Sequence, residues 1–213
     1  MNFIRRYWWR WKCQQNHSPY VHLFDKPTSS ELVSLDCETT SLDPKRAELV
    51  TIAATKIRNN RIITSQSFHI SLRAPQSLDS QSVTIHRLRH QDLTSGCSEQ
   101  EAITQLIDFI GNRPLVGYHI RYDKEILDRC SKKHMGFPLP NALIEVSQIY
   151  HQKLERLLPN GYFDLSIEAI SRHLDLPLPQ RHDALEDAIA AALIYVRLTH
   201  GSFPNVNHIN KKR

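Results

Sequence analysis

Four carboxylates and one histidine are the side chains of this sequence best suited to chemistry: Asp36, Glu38, Asp123, Asp187 and His182. Asp36 and Glu38 end a largely apolar run that starts at residue 32. Side chains two residues apart on a strand point to the same face, so these two carboxylates would lie side by side. Like charges this close are unfavourable unless a cation neutralises them. Hard divalent cations such as Mg²⁺ prefer carboxylate oxygens, so the pair predicts a metal site.

The other three residues fall next to the ends of predicted elements. Asp123 follows a short apolar strand predicted at 115–119, and ligand sites collect at the carboxyl ends of strands in open α/β sheets. Asp187 lies about one turn inside a helix predicted from residue 183, and His182 lies just before that helix. We therefore expect His182 to reach the site from the loop or the N-cap, where a general base can approach bound substrate.

The elements around these residues predict an α/β fold with a mixed sheet flanked by helices. Strands are predicted at 32–38, 49–57 and 61–72, with Asn59 and Asn60 as the turn between the last two. Helices are predicted near 123–134, at 183–199 and behind the capping box that starts at Ser98. A further helix is predicted with Asp164 as its cap. Two hairpins before any of these helices imply a partly antiparallel sheet.

Composition bounds the class of protein. The chain has 213 residues and a net charge of +5, but seven of its 27 basic side chains lie in residues 1–12 and 211–213. The remaining 20 (27 less 7) face 22 acidic residues, so the body is slightly acidic and does not predict a strongly basic binding face. Five basic residues are expected to form the solvated face of one helix, and a nucleic-acid-binding surface is the less favoured alternative: Arg121, Lys124, Arg129, Lys132 and Lys133. No apolar stretch is long enough to span a membrane, and four scattered cysteines suit the cytoplasm.

Taken together, Asp36-x-Glu38-Thr39-Thr40, then Asp123, then His182-x-x-x-x-Asp187 resemble the DEDDh superfamily of 3′→5′ exonucleases. The resemblance is strongest to the proofreading epsilon subunit of bacterial DNA polymerase III. It implies a ribonuclease-H-like fold and hydrolysis supported by two divalent metal ions, Mg²⁺ with Mn²⁺ as a substitute. Asp36 would bridge both ions, Glu38 and Asp187 would complete one, and Asp123 would support the other. His182 would be the general base.

The same resemblance implies how the substrate is held and what it is. Thr39, Thr40 and Leu42 would lie against the 3′-terminal nucleotide, and His86 matches a histidine region of the family. The expected activity is the release of nucleoside 5′-monophosphates from single-stranded or frayed DNA 3′ ends. Two alternatives stay open: an exoribonuclease that trims RNA or short oligonucleotides, and a polymerase-associated module that binds nucleic acid.

We expect three parts: a basic, aromatic N-terminal arm at 1–28, the exonuclease domain at 29–200 and a basic tail at 201–213. The arm holds all three tryptophans of the chain, Trp8, Trp9 and Trp11. Trp8 and Trp11 fall at helical spacing with other apolar residues of the arm. Three interpretations of the arm compete. It docks on its own domain, or it binds a single strand or a protein partner such as a DNA polymerase, or it lies on a membrane surface.

Overall fold

The computed structural model describes residues 3–78, 88–178 and 183–206. Their centre is a five-stranded sheet with the order β3-β2-β1-β4-β5. The strands are β1 Leu32–Thr39, β2 Leu49–Arg58, β3 Arg61–Ser71, β4 Leu115–Gly117 and β5 Leu143–Glu145. β1, β2 and β3 pair antiparallel, whereas β4 and β5 add in parallel on the other side of β1. The predicted mixed sheet is confirmed, and β1 lies in its middle.

The β2–β3 hairpin forms because its connection is short. Asn59 and Asn60 both have positive φ, 49° and 63°, which is the backbone of a tight two-residue hairpin. On β1, Asp36 stands opposite Ala53 of β2, and the register shifts between Glu38 and Thr39. A shift of this kind bends a strand and redirects its side chains. The end of β1 therefore leaves the regular ladder where the acidic residues stop.

Six α-helices are present in the described ranges: α1 Phe3–Gln15, α2 Glu99–Ile110, α3 Ile120–Met135, α4 Val146–Leu157, α5 Ile167–His173 and α6 Ala184–His200. Two short 3-10 helices cover Val21–Phe24 and His90–Leu93. The predicted capping box of α2 is confirmed, with the Ser98 side chain accepting from the backbone N–H of Glu101. None of the described helices is long and apolar enough to cross a bilayer.

Two predicted helix starts are wrong. α3 begins at Ile120, three residues earlier than expected, so Asp123 lies inside its first turn and not at its first residue. The N-cap of α5 is Ser166, whose hydroxyl accepts from Ala169 N, whereas Asp164 accepts from the Ser166 backbone N–H. In both cases the predicted start was an acidic residue, and the helix begins at a nearby position instead.

The sheet separates two hydrophobic cores, and the two faces of β1 point to different sides of it. Val33, Leu35 and Cys37 point into one core together with α2 and α3. α4, α5 and α6 cover the opposite face and form the second core. Because side chains alternate on a strand, Asp36 and Glu38 point toward the side that α6 covers.

The N-terminal segment packs onto the first core. Cys13, Leu23 and Phe24 are almost fully buried there, and the Phe24 ring lies 5.6 Å from that of Phe137. Arg6 Nε donates to the Phe24 carbonyl oxygen at 2.9 Å. Docking on its own domain, one of the three interpretations, is thus what the structure shows for this part of the segment. The division at residue 28 stays a prediction, and the expected tail lies partly outside the described residues, at 207–213.

Candidate active site

Three of the five predicted residues meet at the carboxyl end of β1. Oxygen atoms of Asp36, Glu38 and Asp187 all lie within 4.8 Å of one another. Asp36 and Glu38 come from the same face of β1, as the spacing predicts. Asp187 comes from the first turn of α6, which Asp183 caps by accepting hydrogen bonds from Leu185 N and Glu186 N. The structure therefore brings the first strand and the last helix of the domain together through acidic side chains.

The electrostatics of this cluster are unfavourable without a cation. Burial raises the pKa of Asp36 well above its usual range, and the charges of Asp123 and Asp187 raise it further. The pKa of Glu38 is raised to about 7, first by burial and then by Asp187 and Asp183. All three acids offer hard oxygen donors within a small volume, which is the donor set that Mg²⁺ and Mn²⁺ prefer. The residues present therefore fit a divalent metal site.

Asp123 borders the three-carboxylate cluster. It is 3% exposed in the first turn of α3, and its pKa is raised to about 7 because burial outweighs hydrogen bonds from its own backbone and from Cys37. It is near enough to Asp36 to contribute to the raised pKa of that residue. Among the described residues, however, the group within 4.8 Å does not include Asp123. Cys37 is buried in the core, as expected of a structural thiol.

Both predicted functional histidines, His182 and His86, lie outside the described residues. Their roles stay predictions. His182 is one residue before Asp183, the N-cap of α6, so its position in the sequence is next to the helix that carries Asp187.

The three residues predicted to contact substrate differ in their surroundings. Thr40 is buried, and its hydroxyl lies 2.8 Å from Ser77 Oγ and accepts from Glu48 N. Thr39 Oγ1 lies 2.5 Å from the Tyr122 hydroxyl. Leu42 is 86% exposed in the loop after β1. Substrate contact stays a prediction for all three, but the two hydroxyls already have partners within the protein.

A cavity of about 540 Å³ at the start of α3 is lined by the predicted Leu42 and by residues that sequence reasoning missed. Its lining includes Leu42, His119, Arg121, Tyr122 and Glu145. The Tyr122 hydroxyl donates to the Ser41 carbonyl oxygen and so holds the loop after β1 against α3. An aromatic residue next to Asp123 gave no sequence signal for this role.

Glu145 shapes the same cavity from the end of β5. Its carboxylate accepts from the backbone N–H groups of His119 and Ile120, both at 3.1 Å, and so caps the start of α3. His119 needs such support because it precedes the helix in the left-handed region, with φ 56°. The detectable signal was an acidic residue at the carboxyl end of a strand.

Residues 33–195 match a family model described as RNase_T exonuclease. This chain belongs to that exonuclease family. The matched range contains all five predicted catalytic residues and begins after α1, so the N-terminal helix is an addition to the family domain. The predictions of an exonuclease and of a ribonuclease-H-like α/β fold are confirmed.

Curated relatives of this exonuclease domain include PolC-type DNA polymerase III. The protein from Thermotoga petrophila is 25% identical over 169 residues, which are 79% of this chain and 12% of the polymerase. The Staphylococcus aureus protein is 23% identical over 185 residues, covering 84% of this chain and again 12% of the relative. The chain thus spans about an eighth of the length of these polymerases.

Solved structures share the fold. The Escherichia coli exonuclease I complex with a dT13 oligonucleotide has a TM-score of 0.69 at 14% identity, covering 81% of this chain and 41% of that one. Cell-death related nuclease 4 (CRN-4) has a TM-score of 0.65 at 19% identity, with coverages of 80% and 64%. A zinc-bound form of the E. coli exonuclease I complex with single-stranded DNA has a TM-score of 0.67 at 15% identity, with coverages of 81% and 41%.

Proposed function

We propose that this chain is a divalent-metal-dependent 3′→5′ exonuclease that releases nucleoside 5′-monophosphates from single-stranded or frayed DNA ends. The observation that carries the proposal is the convergence of Asp36, Glu38 and Asp187 within 4.8 Å in a member of the exonuclease family. Burying these acids raises the pKa values of Asp36 and Glu38 and destabilises their ionised forms, which a bound cation would stabilise.

Asp36, Glu38 and Asp187 would hold the metal, with Asp123 completing a second position beside Asp36. When bound, a pair of such ions stabilises the attacking and leaving oxygens of the phosphodiester and favours ionised water at neutral pH. The protein's part is to fix the donors. β1 sets Asp36 and Glu38 on one face, and the capped start of α6 presents Asp187 to them.

His182 would accept the proton of the attacking water. The neutral imidazole is the form that can do so, and an unperturbed histidine changes charge near pH 6.5. Support comes from its place in the sequence, immediately before the N-cap of the helix that carries Asp187.

DNA is favoured as the substrate because of the relatives. The E. coli exonuclease I structures contain DNA oligonucleotides, and the curated relatives are DNA polymerases. The curated relatives also support an association of this chain with a DNA polymerase. Exposed Leu42, beside the cavity that Tyr122 and Arg121 line, offers an apolar surface for a terminal base.

The test uses DNA and RNA strands of the same sequence, each with its 3′ or its 5′ end blocked in turn. With Mg²⁺, we expect mononucleotide release from DNA with a free 3′ end, and none when that end is blocked. An Asp36→Asn variant is the control for contaminating nuclease. Release from 3′-blocked strands would reverse the proposed polarity, and faster release from RNA would make the chain an exoribonuclease.

A further inference from the structure

A second cavity, of about 570 Å³, is lined by residues of α3, by Pro44 and Lys45 of the loop after β1, and by Leu143 of β5. We call it the basic groove and define it by Lys45, Arg121, Lys124, Arg129 and Lys132, which line it. Arg121 also lines the cavity beside the site, so the two cavities adjoin. The body of the chain is slightly acidic, and five basic side chains against two acidic ones in a single groove are therefore a local concentration of positive charge.

The walls of the groove are held in place by α3. The Arg129 guanidinium donates to the carbonyl oxygens of Pro44 and Ala47, which fixes the loop that carries Lys45. At the other end of this loop the Tyr122 hydroxyl donates to the Ser41 carbonyl oxygen. The expectation of a solvated basic helix face is wrong for Arg129, whose guanidinium forms hydrogen bonds to the loop after β1. A clamped loop presents a preformed surface, which lowers the entropic cost of binding a ligand.

The positive charge of the groove is only partly neutralised. Lys124 Nζ lies 2.6 Å from Asp128, whose carboxylate also accepts from Leu139 N. Burial lowers the pKa of Lys124, and the nearby charges of Lys132 and Arg5 lower it further despite Asp128. In the described part of the chain, Lys45, Arg121 and Lys132 have no acidic partner within ion-pair distance.

The groove cations extend along most of α3. Arg121 lies in the first turn of the helix, two residues before Asp123, and Lys132 lies in the last turn. At about 1.5 Å per residue this separation is roughly 16 Å. A stacked strand with about 3.4 Å between phosphates would pass on the order of five phosphates over that distance.

We infer that the basic groove binds the phosphates of the single strand that leads to the reacting 3′ terminus. The inference rests on the proposed function and adds the path of the strand beyond the terminal nucleotide. Phosphates are the favoured ligand because three of the groove cations lack an acidic partner among the described residues, and because the groove shares Arg121 with the first cavity. That cavity is lined by Tyr122, whose hydroxyl lies 2.5 Å from Oγ1 of Thr39, the residue after Glu38. An acidic protein segment is the less favoured ligand, because its binding would not require the groove to adjoin the cavity at the start of α3.

The test compares two double variants with equal loss of charge. Lys45→Ala/Lys132→Ala removes two groove cations. The control is Lys133→Ala/Arg61→Ala. Lys133 follows Lys132 in the sequence but is paired with Glu99, and Arg61 lies on β3 at the opposite edge of the sheet. Binding of a fluorescent phosphorothioate 12-mer is measured against salt, together with hydrolysis of a dinucleotide and of a long DNA strand.

We expect the groove variant to flatten the log–log salt dependence by about 1.4, at about 0.7 per lost phosphate contact. Over the interval from 1 M to 0.1 M salt this equals about a 25-fold loss of affinity at 0.1 M. KM for the long strand should rise in parallel, while dinucleotide hydrolysis and the control variant stay as in the unmodified protein. Equal slopes for the two variants would overturn the groove assignment. An unmodified protein that hydrolyses neither substrate would instead overturn the proposed function.

Discussion

Asp36 and Asp187 come from the first strand and the last helix of the domain, yet their carboxylate oxygens lie within 4.8 Å of each other. Two ionised carboxylates at this distance repel, and burial makes the repulsion stronger. Bringing these two carboxylates together therefore lowers the stability of the metal-free fold. The site gains binding capacity from an arrangement that is locally destabilising.

Replacing Asp36 or Asp187 by Asn should abolish metal-dependent hydrolysis, with a loss of at least on the order of 10³ in rate, because a charged oxygen donor is lost from the site. The fold should persist, and the metal-free variants should be at least as stable as the unmodified protein. The same change at exposed Asp108 on α2 is the control and should alter neither property. Circular dichroism, chemical denaturation and hydrolysis assays check this, and full activity in Asp36→Asn would exclude it as a ligand.

Stability of the metal-free protein should fall as pH rises. The pKa values of Glu38 and Asp123 are raised to about 7 in the folded state, so between about pH 4.5 and 7 the folded protein binds more protons than the unfolded chain. Their favourable contribution is complete below the unfolded pKa and is lost as pH rises through the folded pKa. Denaturation in chelator should show this decrease, and saturating Mg²⁺ should remove it. Glu38→Gln should make the metal-free curve flatter. A metal-free protein that gains stability over this range would contradict the assignment.

His182→Ala should lower the rate by on the order of 10² to 10⁴, the usual contribution of a positioned base. The rate of the unmodified protein should rise with pH through the titration of the imidazole, and the variant should lose that rise. Metal affinity, measured by calorimetry, should not change. His200→Ala, at the exposed end of α6, serves as the matched control. A variant with an unchanged pH profile would assign the base to another group.

The sequence predicted the positions of Asp36 and Glu38 better than it predicted the residues that position the start of α3 and the loop after β1. The spacing of Asp36 and Glu38 determines their common face on any strand, so their common orientation could be predicted from neighbouring residues. The role of Asp183 as the N-cap of α6 was not predicted, although it is a local interaction. The start of α3 could not be predicted from local sequence. β4 is only three residues long, and Gly117 packs against the Leu35 carbonyl oxygen so closely that a Cβ would lie 2.9 Å from it.

That close approach lets the chain turn into α3 through His119, whose left-handed backbone is compensated by Glu145 from a distant strand. Such a partnership exists only after the sheet has formed. The roles of Tyr122 and Arg129 depend in the same way on a loop that the sequence places far from α3. Long-range supports of this kind leave no periodic pattern in the sequence.

Tyr122→Phe should weaken substrate binding more than it weakens the fold. The change removes the hydroxyl that contacts Thr39 Oγ1 at 2.5 Å and holds the loop containing Ser41. A net hydrogen bond is worth about 0.5–1.5 kcal/mol, so KM should rise on the order of threefold to tenfold. Tyr118→Phe is the matched control, since it removes a hydroxyl that donates to Leu165 in the other core. Steady-state kinetics decide the prediction, and equal KM values for the two variants would refute a positioning role.

The N-terminal segment should contribute to stability through its inner face alone. Leu23→Ala should cost about 2–5 kcal/mol of unfolding free energy, because Leu23 is 1% exposed in the first core. Trp11→Ala, at a residue that is 52% exposed, should stay within about 0.5 kcal/mol. Urea denaturation measures both, and dinucleotide hydrolysis below the transition should be normal in both. Deleting residues 1–28 is a poorer experiment because it also removes the buried side chains of Cys13 and Phe24. A large loss from Trp11→Ala would show that the outer face packs on the domain, and no loss from Leu23→Ala would show that the segment does not dock.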